Sequence, residues 1–214
     1  MIHFKGAIFD MDGTLTDSMY IWDTTGITYL RQQGKEPEPG LRDRLRPLSL
    51  VQAAELFQKE YGIGQTVDEI LEAFNDIVEE EYRTNVKLKP GAEEVLKLLK
   101  EHGIAMTVAS SSPREIVVMV LERLGIAAYF SHIVTCGDVG RGKDQPDVYD
   151  RAAELMGTQR AETLVFEDAL HAVKTAAAAG YYVVGVYDES EGVNEDQIEV
   201  LCSRYVKSLK GFSL

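Results

Sequence analysis

From Lys89 onward, short apolar runs alternate with helical stretches, and few folds can accommodate that order. Pro90 to His102 carries Val95, Leu96, Leu98 and Leu99 at helical spacing, and Gly103 follows as a C-terminal stop. Ile104 to Ala109 is an apolar run that ends in Ser110, Ser111 and Ser112. Pro113 then opens a helix, since proline suits the first helical position, and Gly125 closes it. Ile133–Thr135, Thr163–Phe166 and Tyr182–Val186 read as further strands. A loop from Gly137 to Asp144 and helices over Pro146–Met156 and Asp168–Ala179 separate them. Strands joined by helices of this length are linked by crossovers, so the sheet they form is parallel.

A strand from Gly6 to Asp10 belongs to the same sheet. Its apolar run ends abruptly in Asp10, followed by Met11, Asp12, Gly13 and Thr14. A strand buried on both faces is a near-continuous apolar run, so these acids fall at its rim. In open α/β sheets, ligands bind outside the carboxyl ends of the strands. A parallel sheet therefore brings four clusters to one edge: Asp10 with Asp12, Ser110 with Ser111, Lys143, and Glu167 with Asp168. Singly, each has a local explanation. Asp10 to Asp17 can be an acidic surface turn, Ser112 an N-cap for the next helix, Lys143 a solvated charge, and Glu167-Asp168 a helix N-terminus. Together, each just past an apolar strand, they point to shared chemistry.

Between Ser18 and Asn85 the pattern is helical throughout. Ile21, Trp22, Ile27 and Leu30 mark one helix, and Leu48 to Tyr61 a second. Thr66 with Glu69 forms a capping box ahead of a stripe of Val67, Ile70, Leu71, Phe74, Ile77 and Val78, the spacing of a core face. The expected architecture is a doubly wound α/β core of residues 1–16 and 87–214, carrying an all-helical cap domain of residues 17–86. Thr16-Asp17-Ser18 and Val86-Lys87 are the expected hinge strands between the two.

The four clusters suit phosphoryl transfer. A carboxylate nucleophile splits one hard displacement into two easier ones through an acyl-phosphate. That requires the phosphate charge to be neutralised, which a lysine and a Mg²⁺ ion can do. Asp10 and Asp168 suit the oxygen preference of Mg²⁺, and the Ser110 hydroxyl suits a phosphate oxygen. Asp12 is placed to protonate the leaving oxygen and then deprotonate the attacking water. The net charge of −13, from 22 basic and 35 acidic side chains, argues against nucleic-acid binding. An anionic substrate must then be drawn in by local positive charge or a metal. Cys136 and Cys202 stand far apart and the four histidines are scattered, so neither a zinc site nor a disulfide framework is expected. Met1 to Gly6 shows no signal-peptide pattern, and no apolar stretch has bilayer-spanning length. A cytoplasmic monomer, binding neither membrane nor nucleic acid, is the expectation.

Asp10-Met11-Asp12-Gly13-Thr14 resembles the first motif of the haloacid dehalogenase superfamily, whose cores are Rossmann-like, and Val108-Ala109-Ser110-Ser111 the second. Gly142-Lys143 with Pro146-Asp147-Val148-Tyr149 resembles the third, and Val165-Phe166-Glu167-Asp168 the fourth. The resemblance runs over nearly the whole chain, including a C1-type helical cap as in the β-phosphoglucomutase and phosphatase subgroup. It implies Asp10 as nucleophile, Asp12 as general acid/base, and Ser110, Ser111 and Lys143 as phosphate holders. It further implies Mg²⁺ on Asp10, the Asp12 backbone carbonyl and Asp168, with Glu167 nearby. Trp22 stands where mutases of this type carry His, and Leu50 where they carry Arg. Ala169 and Asp144 replace a common Ser and Pro at positions without chemistry. The expected function is a Mg²⁺-dependent phosphohydrolase acting on a small phosphorylated metabolite, with Ser18, Tyr20, Trp22, Arg46 and Ser49 as substrate contacts from the cap. A sugar phosphomutase is the alternative. A non-catalytic phosphate-binding module and a signalling receiver domain are the other classes, though a receiver has no helical insert.

Overall fold

In the computed structural model, which describes residues 4–45 and 48–214, the apolar run Gly6–Phe9 forms β1 and is wholly buried. After a tight turn, β2 (Thr16–Asp17) leads into α1 (Tyr20–Gln32), α2 (Leu41–Leu45), α3 (Leu50–Tyr61) and α4 (Val67–Thr84). The chain returns through β3 (Lys87–Leu88), which pairs antiparallel with β2, Thr16 opposite Leu88 and Asp17 opposite Lys87. Helix and strand then alternate: α5 (Ala92–Glu101), β4 (Ala105–Ser110), α6 (Arg114–Arg123), β5 (His132–Thr135), α7 (Cys136–Val139), α8 (Asp147–Met156), β6 (Thr163–Glu167), α9 (Leu170–Ala179), β7 (Tyr182–Val186), α10 (Glu195–Leu201) and β8 (Arg204–Val206).

Among the described residues the main sheet has six strands in the order β5-β4-β1-β6-β7-β8, and every neighbouring pair is parallel. Counting only these strands along the chain, the order is 3-2-1-4-5-6, that of a doubly wound sheet whose order reverses between β1 and β6. Phe9 lies opposite both Val108 and Phe166, so β1 ends two residues short of the end of β4 and one short of that of β6. The alternation of strand and helix in the sequence is thus realised as a parallel sheet. β8 departs from expectation: Arg204-Tyr205-Val206 is half-buried at the sheet edge and has no apolar run to announce it. The loop expected from Gly137 begins instead inside the short α7, which Thr135 and Asp138 cap reciprocally.

The chain divides into two compact units. One comprises the residues up to Ser18 with Val86–Leu214, and the other Met19–Asn85. The first is built on Ile8, Ala109, Val134, Tyr149, Val165, Val173 and Val183, contributed by sheet and helices alike. The second has a core of its own, made of Tyr29, Leu30, Phe57, Ile70, Phe74 and Ile77, and no strand among its described residues. The rings of Tyr29 and Phe74 meet edge to face at 5.2 Å, and those of Phe57 and Phe74 at 6.0 Å. Such pairs add to the area term from burying large side chains. The expected capping box holds: Glu69 N–H donates to Thr66 Oγ1, while the Glu69 carboxylate accepts from Thr66 N–H. No helix among the described residues is long and apolar enough to cross a membrane.

Candidate active site

The reversal between β1 and β6 brings three carboxylates together. Asp10 follows β1 and extends its ladder by one bond, its N–H donating to Phe166 O at 3.0 Å. Glu167 ends β6 and Asp168 follows it. Carboxylate oxygens of Asp10, Glu167 and Asp168 all lie within 4.8 Å of one another, and all three residues are buried. Lys143, from the loop between α7 and α8, enters this group with its Nζ against Asp10 Oδ1 and 2.6 Å from Glu167 Oε1. At 5% exposure, Lys143 is buried as deeply as the acids that it pairs with.

Hydroxyls add further bonds to the acids. Thr14 Oγ1 donates to Asp168 Oδ1 at 2.8 Å, and the Tyr149 hydroxyl donates to Glu167 Oε1 at 2.8 Å. Asp12 accepts on both oxygens, from Ser18 Oγ at 2.7 Å and Ser112 Oγ at 2.7 Å. Asp12 therefore stands just outside the three-carboxylate group. Ser112 does not cap the following helix; Pro113 occupies the cap position of α6, which has no side-chain bond. The Ser112 backbone N–H instead donates to Ser110 Oγ at 3.0 Å, tying the buried Ser110 into the same loop. Ser111 is exposed, its hydroxyl 3.5 Å from Cys136 Sγ, and makes no bond to the acid cluster.

The turn that presents these groups closes on Met11 O, which accepts from Leu15 N, Thr16 N and Thr16 Oγ1. Gly13 adopts φ +84° within it. A Cβ at Gly13 would lie 2.3 Å from Asp168 Oδ2, so both the backbone and the space exclude a side chain. Gly13→Ala is expected to displace Asp168 and to cut turnover at least tenfold, measured as kcat/KM beside a melting curve that shows the protein still folded.

Charge in the cluster is out of balance. Burial first, then Glu167 and Asp12, pushes the Asp10 carboxyl up to about 8, against the pull of Lys143. Burial, Asp10 and Glu167 likewise raise Asp168 well above the usual carboxylate range, with only the Thr14 bond opposing them. Burial works against the charge on Lys143, but Asp10 and Glu167 outweigh it and hold the ammonium above an ordinary lysine. Burial and Glu167 keep the Tyr149 phenol protonated, hence a donor. With one lysine beside three buried carboxylates, counter-charge is short, and Asp10 and Asp168 are pushed toward their protonated forms. An all-oxygen set of this kind, with no nitrogen or sulfur ligand, suits a hard divalent cation. The residues fit a metal ion.

A family model described as haloacid dehalogenase-like hydrolase matches residues 4–180. The chain belongs to the haloacid dehalogenase-like hydrolases. An uncharacterised Haemophilus influenzae protein is 30% identical over 184 residues, covering 86% of this hydrolase and 91% of its own length. Hexitol phosphatase A of Escherichia coli is 26% identical over 201 residues, covering 92% of this chain and 89% of that protein. A Thermotoga maritima structure provisionally named β-phosphoglucomutase shares the fold at a TM-score of 0.85 and 23% identity, over 97% of this chain and 96% of that one.

Of the residues expected as substrate contacts, Ser18 proves to belong to the α/β unit of the hydrolase, fully buried and committed to Asp12. Tyr20 donates to Glu81 Oε2 at 2.9 Å, and Trp22 is 50% exposed. Ser49 caps α3, its hydroxyl accepting from Gln52 N–H. Arg46 lies outside the described residues. Thr14, Ser112 and Tyr149 were not singled out as site residues. Thr14 and Ser112 carried the signal of hydroxyls within two residues of a motif acid or serine, and Tyr149 stands in the third motif without a signal for its hydroxyl.

Proposed function

We propose that the chain is a Mg²⁺-dependent phosphohydrolase acting on a small phosphorylated metabolite through an aspartyl-phosphate on Asp10. The observation that carries this reading is the buried contact of Lys143 with Asp10 at the switch point of the sheet, with Glu167 and Asp168 beside it. A lysine there neutralises an incoming phosphate next to the carboxylate that attacks it. Mg²⁺, held by Asp10, Asp168 and the Asp12 backbone carbonyl with Glu167 nearby, would supply the positive charge that ionises Asp10 and offsets the phosphate. Asp10 displaces the substrate's alcohol, which takes a proton from Asp12. Asp12 then takes a proton from the water that attacks the aspartyl-phosphate, returning Asp10 and releasing phosphate. The Ser18 and Ser112 hydroxyls, one on each oxygen of Asp12, support this reading by restraining its carboxylate. Ser110, the last residue of β4, and Ser111, which follows it, are the proposed phosphate holders.

Residues 19–85 are proposed as the cap that selects substrate, with exposed Tyr20 and Trp22 as its first candidates. Trp22 and Leu50, where mutases of this subgroup carry His and Arg, favour hydrolysis over transfer to a second hydroxyl. The likeness to hexitol phosphatase puts polyol and sugar phosphates first on a substrate panel. Phosphate release from this panel with Mg²⁺, stopped by EDTA and restored by added Mg²⁺, is the expected result. Conversion of β-glucose 1-phosphate to glucose 6-phosphate without net phosphate release would replace this reading with a mutase. No turnover of any panel member, or turnover indifferent to EDTA, would overturn the mechanism.

A further inference from the structure

The face of α8 turned to the core is Val148, Tyr149, Ala152 and Ala153. Its packing calls for an aromatic ring at position 149, where the Tyr149 ring meets that of Tyr181 at 6.1 Å. A phenylalanine would fill the same volume, so the hydroxyl is surplus to packing. A buried hydroxyl without a partner costs about 1–3 kcal/mol. This one has a single partner, Glu167 Oε1 at 2.8 Å. Lys143 Nζ reaches the same oxygen at 2.6 Å. Two donors thus converge on one oxygen of Glu167, and its second oxygen, Oε2, accepts from no donor among the described residues.

We propose that Tyr149 is a positioning residue for the divalent metal ion of this site, its hydroxyl fixing Glu167 through Oε1 and reserving Oε2 for the ion's ligand shell. The inference rests on the proposed function, since it requires a metal at Asp10, Glu167 and Asp168. Lys143 alone can satisfy the charge on Glu167, but a single ammonium shared with Asp10 leaves the carboxylate free to rotate about that contact. A second donor, from α8, removes the rotation. Because the phenol is neutral, it does so without adding a positive charge that would compete with a dication. Partners that orient metal ligands in this way are worth about 10–100-fold in metal affinity.

The test uses the full chain without substrate and Mn²⁺ as a paramagnetic probe, free ion being counted by electron paramagnetic resonance. Tyr149→Phe is expected to raise the Mn²⁺ Kd about tenfold, with Mg²⁺ affinity, read by competition, falling in parallel. The ring is kept, so the melting curve in EDTA checks folding. In a Glu167→Gln background the same substitution is expected to add no further loss, because its effect passes through that carboxylate. An unchanged Kd in Tyr149→Phe, or an equal further loss beside Glu167→Gln, overturns the assignment. Asp168→Asn separates this failure from that of the parent reading. If it abolishes Mn²⁺ binding while Tyr149→Phe does not weaken it, the role of Tyr149 alone falls. If the wild type binds no Mn²⁺, or Asp168→Asn binds it equally, the metal site falls with it.

Discussion

Asp10→Asn is expected to abolish turnover and, in the absence of metal, to make the protein more stable above neutral pH. Removing a catalytic nucleophile costs on the order of 10⁴-fold or more in kcat. The stability effect has the opposite sign because burial pushes the Asp10 carboxyl up to about 8. An unfolded aspartate titrates near pH ~4, so between that value and 8 the folded chain holds a proton that the unfolded chain has lost. Stability is therefore fully present below the lower value and declines as pH rises through the upper one. Asparagine never ionises and escapes this decline. Urea unfolding in EDTA is expected to show the wild type losing ground to Asp10→Asn progressively from pH 5 to pH 8.5. A gap that stayed constant with pH would mean that Asp10 is not buried as described.

Lys143→Met is expected to damage both activity and fold. Methionine keeps the apolar stem but removes the ammonium that faces Asp10 and Glu167. Breaking a buried pair by deleting one partner typically costs about 3–5 kcal/mol, because the remaining charge has nowhere to go. The loss is largest where Asp10 is ionised and shrinks as the pH falls below about 8 and Asp10 takes up its proton. Unfolding curves at pH 8 and pH 5 are the measurement, and a larger deficit at pH 8 is the expected outcome. Turnover is expected to fall about 10²–10³-fold, the usual consequence of removing one preorganised charge partner. Full stability at both pH values would mean that the lysine contact is not made.

The placement of Asp10, Ser110, Glu167 and Asp168 was legible because each stands at the end of an apolar strand, and a parallel sheet puts all such ends on one edge; Lys143 lies farther on, past α7. The hydroxyls that hold the acids were not. Ser112 precedes Pro113, so local rules make it an N-cap, yet its hydroxyl bonds Asp12, 100 residues earlier. Thr14 reads as part of a turn, and its partner Asp168 lies 154 residues on. Ser18 reads as the start of the helical insert but stays with the α/β unit, held by Asp12 and Thr16. Tyr149 stands in the third motif with nothing to mark its hydroxyl; only the partner of that hydroxyl shows its second role. In each case the decisive contact is one that sequence spacing does not carry. Periodicity carried further in the second unit, where Leu30, Ile70, Phe74 and Ile77 are core as expected, though Trp22 is exposed and Tyr29 takes a central place.

The pairing of Asp17 with Lys87 puts the exit and the return of the chain side by side, on strands spaced about 5 Å apart. For the α/β unit, whatever lies between them is topologically a single loop. The entropy of closing a loop grows only logarithmically, about 0.6 kcal/mol per doubling of its length. A short hairpin and a domain are therefore nearly equivalent demands on that edge of the sheet. The inserted piece can thus change in length without altering the edge that carries Asp10, Lys143 and Asp168.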